Sequence, residues 1–131
     1  MRFIVGLLLT ALIGFALHYF MPWWWWSGVL VAAILGFALQ IHGLLSFLCG
    51  FLALGLLWGG MAYWSDTLNE SMLSTKIAPL FKMATSTQLL IVTIVLGALL
   101  GGLSMLSGKS LRDIVSGPIK KPTKKYRGKY R

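Results

Sequence analysis

The first half of this chain has almost no charge. No Lys, Arg, Asp or Glu occurs between Arg2 and Asp66, and the whole chain contains only three acidic residues. Charged residues make up 11% of the sequence, whereas about 25% is usual in soluble domains. A soluble fold is therefore excluded, and the apolar runs predict an all-α membrane protein.

The shortage of acidic, cysteine and histidine residues excludes several kinds of chemistry. Paired-carboxylate catalysis needs two carboxylates at one site, and ion-coupled transport usually needs an ionisable group within the membrane; the predicted spans contain no acidic residue. Cys49 is the single cysteine, so we interpret it as a packing residue. His18 and His42 are expected at opposite membrane faces, where they cannot share a metal ion. We therefore expect no enzymatic activity, no metal site and no cofactor.

The apolar runs set the number of spans. Residues 23–64 as one helix would be roughly 60 Å long, about twice the hydrocarbon thickness of a bilayer, so we place a turn at residues 40–43. The first run could also be a cleaved signal peptide, but no soluble domain follows for it to export, and we favour an uncleaved span. Four transmembrane helices are predicted, at about 3–20, 23–39, 44–64 and 88–106.

Two polar segments complete the chain. Apolar residues at three- and four-residue spacing in the 65–87 loop predict a short amphipathic helix, broken near Pro79. This helix would either pack on the top of the bundle or form a partner-docking surface. Within the loop, Ser65 or Asp66 is interpreted as a helix cap. The chain thus divides into a four-helix transmembrane domain, 1–108, and a basic cytoplasmic tail, 109–131. The tail is expected to begin with one or two further helical turns from Ser110 and to be disordered over residues 119–131.

The distribution of basic residues predicts the orientation. Nine of the 12 Lys and Arg residues follow Gly108, and short segments rich in Lys and Arg stay in the cytoplasm. An even number of spans returns the N-terminus to the same side. We therefore expect a multi-pass protein of the bacterial inner membrane, with both termini cytoplasmic and the 65–87 loop outside.

Aromatic residues cluster at one side of this predicted bundle. Four successive Trp residues cover every face of one helical turn, which suits a collar at the lipid headgroup level. A stacking platform for a lipid, sugar or quinone is the alternative. The predicted interface anchors are Trp23, Trp24, Trp25, Trp26, Tyr63 and Trp64.

Small residues recur at four-residue spacing in every predicted span. Such faces let helix backbones approach closely, which is how helices associate in lipid. The predicted packing residues are Gly6, Gly14, Gly28, Ala32, Gly36, Gly55, Gly59, Gly97, Gly101 and Gly102. These faces serve either the helices of one chain or a second subunit, and for the pair at 101 and 102 we favour a partner.

The main expected role of the basic tail is to fix the membrane topology. Its Lys and Arg residues are also candidate contacts for anionic lipid or for an acidic protein partner. RNA contact is another possibility, but we do not expect a nucleic-acid partner. The candidate residues are Lys120, Lys121, Lys124, Lys125, Arg127, Lys129 and Arg131.

These observations lead to two functional hypotheses. The first is a small non-enzymatic integral membrane protein, an accessory or scaffolding subunit of a larger membrane complex. The alternative is a small oligomeric transporter or channel for a neutral or lipidic solute, with Gln40, His42, Ser46 and Thr93 as its polar contacts. The expected partners are the lipid bilayer and either another membrane protein or further copies of this chain.

Overall fold

The computed structural model describes residues 1–21, 26–82 and 85–117, and all regular structure in them is helical. The predicted all-α class is confirmed for these residues. A short 3-10 turn, Ala78–Phe81, follows the fourth of five α-helices. The α-helices are α1 Arg2–Phe20, α2 Ser27–Ala38, α3 Gly43–Leu68, α4 Met72–Ile77 and α5 Ser86–Ser116.

Three of these helices are long and apolar enough to cross a membrane, namely α1, α3 and α5. They have 19, 26 and 31 residues, so an integral membrane protein fits the structure. The described part of α2 has 12 residues, about 18 Å of helix. The predicted second span starts at Trp23, and residues 22–25 lie outside the described part. The fourth span therefore stays a prediction.

Three helix boundaries differ from those predicted. Helix α3 continues past Trp64 to Leu68, and α5 continues past residue 106 to Ser116. In α5, Gly108 lies against α2, where an added Cβ would lie 1.9 Å from the Ala33 carbonyl oxygen. This glycine therefore permits close packing within a continuous helix and does not end it. The amphipathic helix of the loop is only six residues long before the 3-10 turn.

Helix α3 packs along α5 and also contacts α1. Helix α2 packs against α5 and α1, and the described parts of α1 and α5 do not contact each other. The helices thus form a ring in the order α1, α2, α5, α3. The core cluster lies inside this ring and consists of Ala32, Ile41, Cys49, Leu54 and Met105.

Backbone approaches hold this ring together. A Cβ added at Gly36 of α2 would lie 2.1 Å from the Met105 carbonyl oxygen of α5. All ten small residues singled out in the sequence are buried. Gly101 lies against Gly50, and Gly102 lies against the Phe47 ring. This pair faces α3 of the same chain, so the hypothesis that it is kept for a partner is wrong.

Candidate functional site

Several hydroxyl and thiol groups inside the bundle are bonded to backbone carbonyls. Ser46 Oγ donates to the Met105 carbonyl at 3.4 Å, and Cys49 Sγ donates to the Phe3 carbonyl at 3.4 Å. Ser104 Oγ similarly donates to a carbonyl of α2. A buried polar group without a partner costs free energy, and these bonds remove that cost while joining neighbouring helices. Ser46 thus serves the α3–α5 contact.

The end of the bundle opposite the 65–87 loop holds the polar residues of the α2–α3 turn. Arg2 Nη1 donates to Gln40 Oε1 at 3.0 Å, and His42 is exposed just before α3 begins. On α5, Lys109 forms an ion pair with Asp113 one turn later. Gln40 and His42 therefore lie at the end of the bundle. The structure does not bring them together with Thr93, which lies near the start of α5, at the opposite end of the bundle.

The half of the bundle nearer the 65–87 loop contains a cleft of about 250 Å³ between α1, α3 and α5. Gly14 lies beside Leu57, and Gly97 lies beside Trp58. One helical turn nearer the loop, α1 supplies His18 and α5 supplies Thr93 to the lining of the cleft. We call this space the interfacial cleft, and it is lined by His18, Trp58, Met61, Ala62, Ser65 and Thr93.

A smaller cleft of about 160 Å³ lies next to the interfacial cleft on the side of the loop. The two clefts share Ala62 and Ser65. Its lining reaches the 69–77 segment and the first turns of α5. The upper end includes Asp66 and Asn69. The two clefts therefore lie side by side along α3.

Asp66 forms hydrogen bonds that connect the elements at the loop end of the smaller cleft. Its carboxylate accepts hydrogen bonds from Ser71 Oγ at 2.9 Å, from Ser86 Oγ at 3.1 Å and from Ser74 Oγ. These bonds join the last turns of α3 to the loop and to the first turn of α5. The sequence interpretation treated Asp66 as a helix cap and missed this role. The nearby serines were the available signal, but only folding brings Ser86 close.

Most large apolar side chains of the loop are exposed, although Ile77 is half-buried and lines the smaller cleft beside α3 and α5. Only Ala78 is buried in the 3-10 turn and α4. Leu80 is 80% exposed and Phe81 is 63% exposed. Leu68, Met72 and Leu73 are exposed as well. The loop therefore presents an apolar surface, which we call the loop face and define by Leu68, Met72, Leu73, Leu80 and Phe81.

Some predicted site residues lie outside the described part of the chain. Trp26, Tyr63 and Trp64 are described, and all three are exposed. Trp23, Trp24 and Trp25 are not described, and neither are the basic residues from Lys120 to Arg131. The collar and the tail contacts therefore remain predictions.

In the described ranges, no group of three or more His, Cys, Asp or Glu residues could hold a metal ion. Family models, curated proteins and solved structures offer no match to this chain. Its function is therefore inferred from the geometry alone.

Proposed function

We propose that this protein is a small non-enzymatic integral membrane protein, an accessory or scaffolding subunit of a larger membrane complex. The loop face is the observation that carries this proposal. Its apolar side chains are exposed beside the ends of two membrane-length helices, α3 and α5. Several large exposed apolar side chains in one short loop are typical of an interaction site.

The bonds around Asp66 support the same proposal. They fix the start of α4 relative to α3 and α5, so the loop face is ordered before any partner arrives. A preorganised surface loses less conformational entropy on binding. The hydroxyl groups of Ser46 and Ser104 also support a scaffolding role, because their hydrogen bonds stabilise contacts between helices of the bundle.

The proposed topology has four spans and both termini in the cytoplasm of a bacterial inner membrane. The positive charge that follows Gly108 supports this orientation. The loop face and the Trp collar then lie on the outer side. The basic tail lies at the inner leaflet, where anionic lipid or an acidic partner would bind it.

Affinity purification in mild detergent tests the subunit proposal. The wild-type chain should carry a stoichiometric membrane-protein partner, identified by mass spectrometry. Replacing Leu80 and Phe81 with Ser should release that partner, because the exposed apolar area is lost. Lys76→Ser in the same loop is the matched control and should keep the partner. Equal retention by both variants would contradict docking at the loop face.

The interfacial cleft favours a second candidate function, a small oligomeric transporter or channel for a neutral or lipidic solute. Thr93, one of its predicted polar contacts, lines this cleft. A clean homo-oligomer without any other stoichiometric protein would support this alternative over the subunit proposal.

A further inference from the structure

The interfacial cleft lies between α1, α3 and α5. In the described residues α1 and α5 do not touch, and α2 reaches outward to Gly28, which lies against Leu54 of α3. The stripe of α3 that carries Leu54 continues outward as Trp58, Met61 and Ser65, which line the cleft. The three helices that line the cleft are the three long enough to cross a membrane, so the cleft lies within reach of lipid acyl chains.

The lining changes from apolar to polar along this axis. Trp58, Met61 and Ala62 form the apolar part. His18 and Ser65 add groups that can donate and accept hydrogen bonds. The exposed aromatic side chains of Tyr63 and Trp64 lie on the same turns of α3. Such residues are typical of the headgroup level, so the polar groups lie where a lipid head group would be.

Charge decides which head group fits. The described residues that line the two clefts include no Lys or Arg, and the Asp66 carboxylate lies at the upper end. In either cleft a phosphate would have no cationic side chain in the described lining to pair with, since Lys76 lies in a neighbouring pocket with Asn69 and Leu73. An uncharged hydroxyl or ester group meets no such penalty, and the lining hydroxyl and imidazole groups can bond to it.

We propose that the interfacial cleft binds a neutral acylglycerol lipid, with its hydroxyl and ester head beside His18 and Ser65 and an acyl chain along Trp58 and Met61. The volume of about 250 Å³ is somewhat below the usual range for small-molecule pockets. The cleft thus holds the head and the upper part of a chain, and the rest of the lipid stays in the bilayer. This binding does not depend on the subunit proposal.

Photolabelling of the full chain in phosphatidylcholine nanodiscs tests this proposal. A diacylglycerol with a diazirine in its acyl chain should label residues 58–65 saturably, as located by mass spectrometry. Unlabelled diacylglycerol should compete, and phosphatidylglycerol should not. Equal competition by phosphatidylglycerol would overturn the selection of an uncharged head, and labelling that does not saturate would overturn the site.

Two variants of α3 locate the site. Ala62→Leu fills the cleft and should lower labelling about tenfold, the change expected for about 1.4 kcal/mol of lost binding. Gly60→Leu is the matched control, because an added Cβ at Gly60 meets nothing within 4 Å, and it should label as the wild type does. An equal loss in both variants would overturn the proposal. If Ala62→Leu fails to fold, Thr93→Leu fills the same space from α5, and unchanged labelling there would also overturn it.

Discussion

Gly50 of α3 and Gly101 of α5 meet backbone to backbone. A Cβ added at Gly50 would lie 2.1 Å from the Gly101 carbonyl oxygen, and one added at Gly101 would lie 2.3 Å from the Gly50 carbonyl oxygen. The contact is reciprocal, so neither residue can gain a side chain unless the helices move apart. In lipid, helices associate through close van der Waals packing of this kind.

Replacing Gly101 with Leu should therefore destabilise the isolated protein. Inserting a bulky side chain into a tight contact typically costs about 1–3 kcal/mol of stability. In lipid the hydrophobic effect does not push the helices back together, because a Leu side chain is equally favourable against a helix and against an acyl chain. A melting curve of the purified protein in detergent should show a lower Tm than that of the wild type.

Gly60→Leu is the control for this substitution, since its added Cβ meets nothing within 4 Å. Its Tm should stay near the wild-type value. Blue-native electrophoresis of the same samples separates stability from assembly. A Gly101→Leu protein that melts normally but loses a partner would contradict the internal packing of this glycine.

Removing the charge of Asp66 should loosen the outer loop. In Asp66→Asn the side chain loses one of the two oxygens that accept the serine hydroxyl groups, and hydrogen bonds to charged groups are among the stronger ones. Trypsin should then cut after Lys76 and Lys82 faster than in the wild type. Glu70→Gln removes a charge from an exposed side chain of the same loop and should leave the cleavage rate unchanged. Equal rates in both variants would show that the Asp66 bonds do not restrain the loop.

The topology can be checked by cysteine labelling of intact cells in a Cys49→Ala background. A membrane-impermeant maleimide should label Ser71→Cys in the loop and leave Thr123→Cys in the tail unlabelled, because the basic tail is retained in the cytoplasm. The opposite pattern would reverse the orientation. Labelling at both positions would refute the count of four spans, because α5 would then not cross the membrane.

Single replacements in the Trp collar should be tolerated. Changing any one of Trp23–Trp26 to Phe keeps most of the ring area, and three further indoles remain at the headgroup level. Membrane expression and complex size should match those of the wild type. Loss of assembly at one position alone, with normal expression, would instead indicate a specific stacking site there.

The sequence predicted the turn between α2 and α3 closely. It was placed at residues 40–43, and in the structure α2 ends at Ala38 and α3 begins at Gly43. Gln40 and His42 interrupt an apolar run that is too long for one crossing. Local polarity and length were sufficient for this prediction, because both are properties of a single segment.

The sequence by itself determined the helical class, the membrane lengths of α1, α3 and α5, and the small residues available for close packing. Only the tertiary structure decided that Gly101 meets Gly50, that Gly108 lies inside a helix against α2, and that Ser86 reaches Asp66. Hydropathy is a property of each segment alone. Any apolar helix face is equally favourable in contact with lipid, so hydropathy does not select which helices become neighbours. The choice of neighbours depends on how residues far apart in the chain fit together, and that fit exists only once the helices have packed.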